Sequence, residues 1–137
     1  MTLYLPPDME LFLTKWLRSQ IPDVRFVNKE PENLSTPLAK PVVVIRDDSG
    51  TKTSYVTFDR SIGVSVFAGS KTNDKPANDL ARLVYAYLTS GEIVSAPDSP
   101  IASIVEGGCN GPYPVQDDQD YARRYLTVEY STVGSIQ

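Results

Sequence analysis

Between Asp59 and Glu92 the hydrophobic period of the chain changes from two to 3.6 within a few residues. Ile62, Val64, Val66 and Ala68 recur at every second position, so one face of a strand is apolar. Leu80, Leu83, Val84, Tyr87 and Leu88 then recur at helical spacing. A strand that runs through a short polar loop into an amphipathic helix can pack that helix back over itself. This block is therefore the nucleus of a sheet-plus-helix domain, and nothing in it is catalytic in type.

The flanking segments extend the pattern. Pro6, Pro7 and Asp8 open a first helix over about residues 8 to 20, with an apolar stripe of Met9, Phe12, Leu13, Trp16 and Leu17. Trp16 reads as core, since aromatic residues at helical spacing usually are. Val24, Phe26 and Val27 predict a short strand, followed by a loop from Asn28 to Pro41 that is longer than most connections. Such a loop either reaches a neighbour or is simply solvated. Val42 to Ile45 is a β-branched run, as expected for a strand covered on both faces.

Asp47 to Gly50 predicts a turn, with a returning strand through Tyr55, Val56 and Phe58, a tight corner at Asp59 and Arg60, and a further antiparallel strand over 62 to 68. Asn73 or Asp74 caps the second helix and Gly91 ends it. Ile101 to Glu106 reads as a strand, whereas Gly107 to Pro114 carries too many glycines and prolines for a ladder and reads as a bend. The last strand, Tyr121 to Thr132, sets Leu126, Val128 and Tyr130 against Arg123, Tyr125, Thr127 and Glu129. Its outward mixture of aromatic and charged groups is the kind favoured at protein interfaces. The expected fold class is α+β, a mostly antiparallel sheet with two main helices packed against it, in a single domain spanning residues 1 to 137.

Composition bounds the function. The chain has no histidine, which removes the commonest general base and metal ligand, and with them any Ser-His-Asp triad. Cys109 is the single cysteine, so no internal disulfide forms, in keeping with a reducing compartment, and it reads as a small turn residue. Asp117, Asp118 and Asp120 could collect calcium, but the turn glycine and distal glutamate of an EF-hand loop are absent, and a solvated turn is the better reading. Gly107 to Gly111 is not followed by Lys-Ser or Lys-Thr, so a phosphate loop has little support. No metal or cofactor is expected.

A formal charge of −4 argues against wrapping nucleic acid. Lys71, Lys75 and Arg82 stand among Asp74 and Asp79, a mixture typical of a solvated helix face. Asp79 and Arg82, three apart, can pair on that face or across two protomers. No apolar run reaches bilayer length and no signal peptide opens the chain, so a cytoplasmic protein without a membrane span is expected.

Several short motifs also fall in a telling order: Val64 to Ala68, a polar loop, Asp79 to Arg82, Gly91, Gly111 with Pro112, and Arg124 with Tyr125. From about Pro41 to Val133 this order resembles the tail terminator proteins of long-tailed, siphovirus-type bacteriophages. The chain departs from the family pattern in two places. Asp48, Ser49 and Gly50 replace a frequent Gly-Gly turn, and Thr132, Val133 and Gly134 stand where an arginine often closes the last strand.

The resemblance implies a non-enzymatic virion protein, assembled in the host cytoplasm, that forms a homo-oligomeric ring of six copies at the head-proximal end of the tail. The implied partners are the major tail tube protein, the head-completion or stopper protein and the tape-measure protein. DNA would pass through the lumen without specific binding, and six copies would carry roughly −24 to keep it from sticking. Candidate interface residues are Lys29, Lys71, Asp79, Arg82, Arg123, Tyr125 and Glu129. The rival readings are another head-to-tail connector, a stopper or adaptor, and a small ligand-binding or enzymatic domain.

Overall fold

Two twelve-residue strands lie side by side through the middle of the computed structural model, which describes residues 2–137. In chain order the elements are β1 (Tyr4–Leu5), α1 (Met9–Gln20), β2 (Arg25–Val27), β3 (Val42–Asp47), β4 (Thr57–Ala68), α2 (Lys75–Leu88), α3 (Gly91–Ser95), β5 (Ile101–Ile104), β6 (Asn110–Val115), β7 (Ala122–Val133) and β8 (Ser135–Ile136). The main sheet runs β2-β3-β4-β7, with β5 and β6 sharing the far edge of β7. Every pairing in it is antiparallel except β2 with β3. The fold is thus α+β with a mostly antiparallel but mixed sheet. A separate two-stranded ribbon joins β1 to β8.

The β4–β7 register, with Val64 opposite Leu126 and Ile62 opposite Val128, places the apolar alternation of both strands on one face. Val43 and Ile45 of β3 join them there, and α1 and α2 close over this face. The α1 stripe behaves as its spacing predicts: Met9, Leu13, Trp16 and Leu17 are buried, and Phe12 packs at the margin. Each such leucine, fully withdrawn from water, contributes about 1.5–3 kcal/mol before entropy is counted. Asp8 caps the helix by accepting from the Leu11 N–H at 3.1 Å.

The other face is covered only at one end. There Leu34 and Leu38 of the loop after β2 pack on Val42, Val44, Phe67 and Tyr121. This is why Val42 to Ile45 is apolar on both sides, and it turns much of the long loop inward as sheet cover.

Five expectations require correction. The turn expected at Asp47–Gly50 and the corner at Asp59–Arg60 do not exist, and β4 is one continuous strand. Residues 48 to 53 carry on from β3, antiparallel to the first half of β4, through Asp48 N–H to Ser61 O (2.8 Å) and Asp59 N–H to Thr51 O (2.8 Å). The reversal falls at Ser54–Val56, where the Ser54 hydroxyl accepts from the Thr57 N–H at 3.1 Å. Gly50 permits the close approach, since a Cβ there would lie 1.9 Å from the Asp59 carbonyl oxygen.

Gly91 does not end α2; it begins α3 behind the Ser90 cap, while α2 stops at Leu88. Leu83 does not join the core stripe, which is Ala77, Ala81, Val84 and Leu88; Leu83 is 45% exposed. Finally, Asn110 to Val115 is a strand after all, despite Pro112 and Pro114. It lies on the outer edge of β7 with an irregular register, where a missing N–H need not break a ladder.

Candidate protein-interaction surface

The β7 residues expected to face outward do so together. Across the sheet face away from α1 and α2, Val42, Phe67 and Arg123 form one row, and Val44, Ser65 and Tyr125 the next. Arg46, Gly63 and Thr127 form a third row, and Ser61 with Glu129 a fourth. Tyr113 of β6 extends the second row, meeting Tyr125 edge to face at 5.7 Å. Gly63 makes room for this arrangement: a Cβ there would stand 2.3 Å from the Tyr125 hydroxyl and 2.6 Å from an Asp48 carboxylate oxygen.

Arg123 is the most constrained side chain on this face. Its guanidinium lies over the Phe67 ring at 4.8 Å and donates to Ser65 Oγ at 3.4 Å. Nη1 stands 3.5 Å from Asp117 and 3.6 Å from Glu30, while Nε is buried without an acceptor. Arg123 is therefore part of the loop-to-sheet closure as well as a surface group. Glu129 packs beside the short 3-10 turn at Glu106–Gly108, and its carbonyl accepts from the Val105 N–H at 2.9 Å.

The other candidates lie elsewhere. Asp79 and Arg82 sit on the exposed side of α2, across the sheet from Tyr125. Asp79 pairs mainly with Lys75 at 2.6 Å, and Arg82 reaches it only at 4.0 Å. Pairs this exposed contribute well under about 1 kcal/mol. Lys71 lies in the turn before α2, its N–H held by Asp120 at 3.2 Å. Lys29 is exposed and shares a cavity with Arg46 and Arg123. Asp74 does not cap α2 with its side chain; it binds Arg124 at 2.7 Å and so ties the helix start to β7.

The aspartates before β7 are divided among local partners. Asp117 faces Arg123 and accepts from Gln119 N–H, while Asp120 holds Lys71. Among the described residues no three His, Cys, Asp or Glu side chains gather as metal ligands. Burial, and secondarily the Asp117 carboxylate, raises the Tyr121 hydroxyl above its ordinary range. No described helix is long and apolar enough to cross a membrane.

Sequence reasoning missed a second surface. Five of the eight large apolar side chains exposed among the described residues, Leu3, Leu5, Tyr55, Val133 and Ile136, belong to segments that meet at one end of β7. The β1–β8 ribbon sets Leu5 opposite Ser135 and Ile136 opposite Tyr4, hence on its two faces; Gln137 N–H joins Leu3 O at 3.1 Å, and Gly134 N–H joins Val56 O at 2.7 Å to bring the Tyr55 segment alongside. Two-residue strands carry no periodicity, so only the pairing brings these segments together.

The molecule is thus an α+β domain with helices on one sheet face and a half-open, aromatic and charged second face. No family model matches the chain, and no curated protein matches it.

Proposed function

We propose that this chain is a non-enzymatic virion protein of a long-tailed bacteriophage, a tail terminator that closes into a ring on the head-proximal end of the tail tube. The observation that carries the reading is the convergence of its motifs. Val64 to Ala68 pairs residue by residue with Ala122 to Leu126, which contains Arg124 and Tyr125. Arg124 binds Asp74 at the start of the helix that holds Asp79 to Arg82, and the strand containing Gly111 and Pro112 borders the same stretch of β7. Segments spread over some sixty residues of sequence are thus joined in one structural unit that spans the sheet, with Arg124 on the helix side and Tyr125 on the open face.

The mechanism is surface complementarity. A heterologous interface repeated around a closed ring leaves two unlike ring faces. One matches the last tube ring; the other accepts no further tube subunit and presents the surface for the stopper on the filled head. Tyr125, Glu129 and the outward groups of the 28–41 loop, Lys29 among them, are candidate contacts, with Lys71, Asp79 and Arg82 on the α2 side. The β1–β8 ribbon, with Leu5 exposed on one face and Ile136 on the other, is a further candidate. The net negative charge suits a lumen through which DNA slides.

The test is electron microscopy of lysates from a phage carrying this gene in inactivated form. Overlong tubes beside unattached, DNA-filled heads are expected. Normal-length tails beside unattached heads would overturn the terminator in favour of a stopper or adaptor, and intact virions would remove the protein from the neck.

A further inference from the structure

We propose that the cavity between β3, β7 and the start of the 28–41 loop is a carboxylate pocket that receives an acidic side chain of a partner protein. Its volume is about 250 Å³, with Val44 and Ser65 in its lining beside the cations Lys29, Arg46 and Arg123. Glu30 is the only acid in that lining. A chain with an overall surplus of acids thus holds a local surplus of positive charge on its open sheet face.

Arg123 is prepared for such a ligand and under-used by its own chain. Stacking on Phe67 and burial to 23% side-chain exposure fix its orientation, so little entropy is lost on binding. Yet its contacts to Glu30 and Asp117, at 3.6 and 3.5 Å, are longer than the roughly 2.7–2.9 Å of a strong charge-assisted bond. The Ser65 bond is long as well, and Nε has no acceptor. A planar carboxylate entering beside Lys29 and Arg46 would meet the Nη groups of a fixed guanidinium, whose present contacts are all long, while Nε itself is buried.

The nearby Glu30 and Asp117 favour a single negative charge over a doubly charged phosphate, because each further charge is repelled at short range. The pocket is also open at the surface through Lys29 and Arg46, both exposed, which suits a side chain presented by another protein.

The experiment follows the Arg123 Nε–H and Ser65 amide resonances of the full-length, isotope-labelled protein during titration with a hexaglutamate peptide. Inorganic phosphate and sodium chloride at matched ionic strength form parallel arms. Saturable shifts with the peptide, and binding roughly tenfold weaker in the Lys29→Gln/Arg46→Gln double variant, are expected. Both substituted residues are exposed, so the variant should keep its fold, which its amide spectrum checks directly.

Equal shifts with sodium chloride, or unchanged affinity in the double variant, would overturn the pocket. Phosphate binding as tightly as the peptide would overturn the protein carboxylate in favour of a free oxyanion. The inference stands on the cavity alone; the lysate phenotype decides the ring reading separately.

Discussion

Removing one oxygen atom, by Tyr130→Phe, should reveal how the second helix is locked to the central strand. The Tyr130 hydroxyl donates to the Leu88 carbonyl at 2.5 Å, and both residues are fully buried. Leu88 is the last residue of α2, so its carbonyl belongs to the group that an α-helix leaves without internal partners. Phenylalanine fills the same space but leaves that carbonyl dry and unpaired, at a cost of about 1–3 kcal/mol. For a domain of this size that corresponds to a fall in Tm of roughly 3–12 °C.

The pH dependence gives the sharper test. Burial first, and the neighbouring Cys109 second, raise the Tyr130 pKa well above its ordinary value of 10.0. Below that ordinary value both folded and unfolded chains hold the proton, and the full contribution of Tyr130 is present. As pH rises past about 10 the unfolded chain ionises while the folded chain cannot, so stability falls by up to about 1.4 kcal/mol per pH unit. The phenylalanine variant lacks this loss. Urea unfolding of both proteins between pH 7 and 11.5 should therefore show the variant weaker at neutral pH and the gap narrowing above pH 10. A gap that stays constant across the alkaline range, or is absent at pH 7, would refute the reasoning.

Three further outcomes follow from the same contacts. Asp47→Ala breaks a two-bonded pair with Arg60, at 2.8 and 3.1 Å and 16% exposed on each side, and should cost about 2–4 kcal/mol in urea unfolding because it strands a mostly buried guanidinium. Gly63→Ala should destabilise by about 1–3 kcal/mol through the Tyr125 hydroxyl and Asp48, and the added change Tyr125→Ala should recover part of the loss; strict additivity in the double variant would count against the contact. Asp79→Ala should change unfolding by less than about 0.5 kcal/mol, since its partners Lys75 and Arg82 are solvent-exposed, so any loss of tail assembly in that variant would be a contact effect.

Legibility in the sequence followed the range of the deciding interaction. The α1 stripe, the passage from β4 to α2 and the two-sided alternation of β7 were readable because their periods arise within one element. The turn at Ser54–Val56 was not: Asp47 to Gly50 has turn composition, but Asp47 is held in the sheet by Arg60, thirteen residues away. β6 was hidden because its prolines argue against a ladder until its edge position is known. Likewise Arg123, Tyr125 and Glu129 were visible as one outward set, whereas Ser65, Glu30 and Asp117 around Arg123 come from three separate stretches that only the register and loop closure unite.

That same register explains why the two faces of the sheet serve different ends. On the inner face the partners of β7 are Ile62, Val64 and helix α2, and even its hydroxyls are consumed internally, Tyr130 by Leu88 and Thr132 by the Phe58 carbonyl at 2.7 Å. Shifting the strand by one residue would bury Arg123 and Glu129 and expose Leu126 and Val128, so the inner packing rigidly fixes what the outer face displays. The outer groups are held by partial means: a long bond to Ser65, loose ion pairs, one aromatic edge contact. A fixed scaffold presenting incompletely satisfied aromatic and charged groups is the physical condition for specific docking at small reorganisation cost. The folding function of β7 and its proposed contact function are therefore two faces of one alternation.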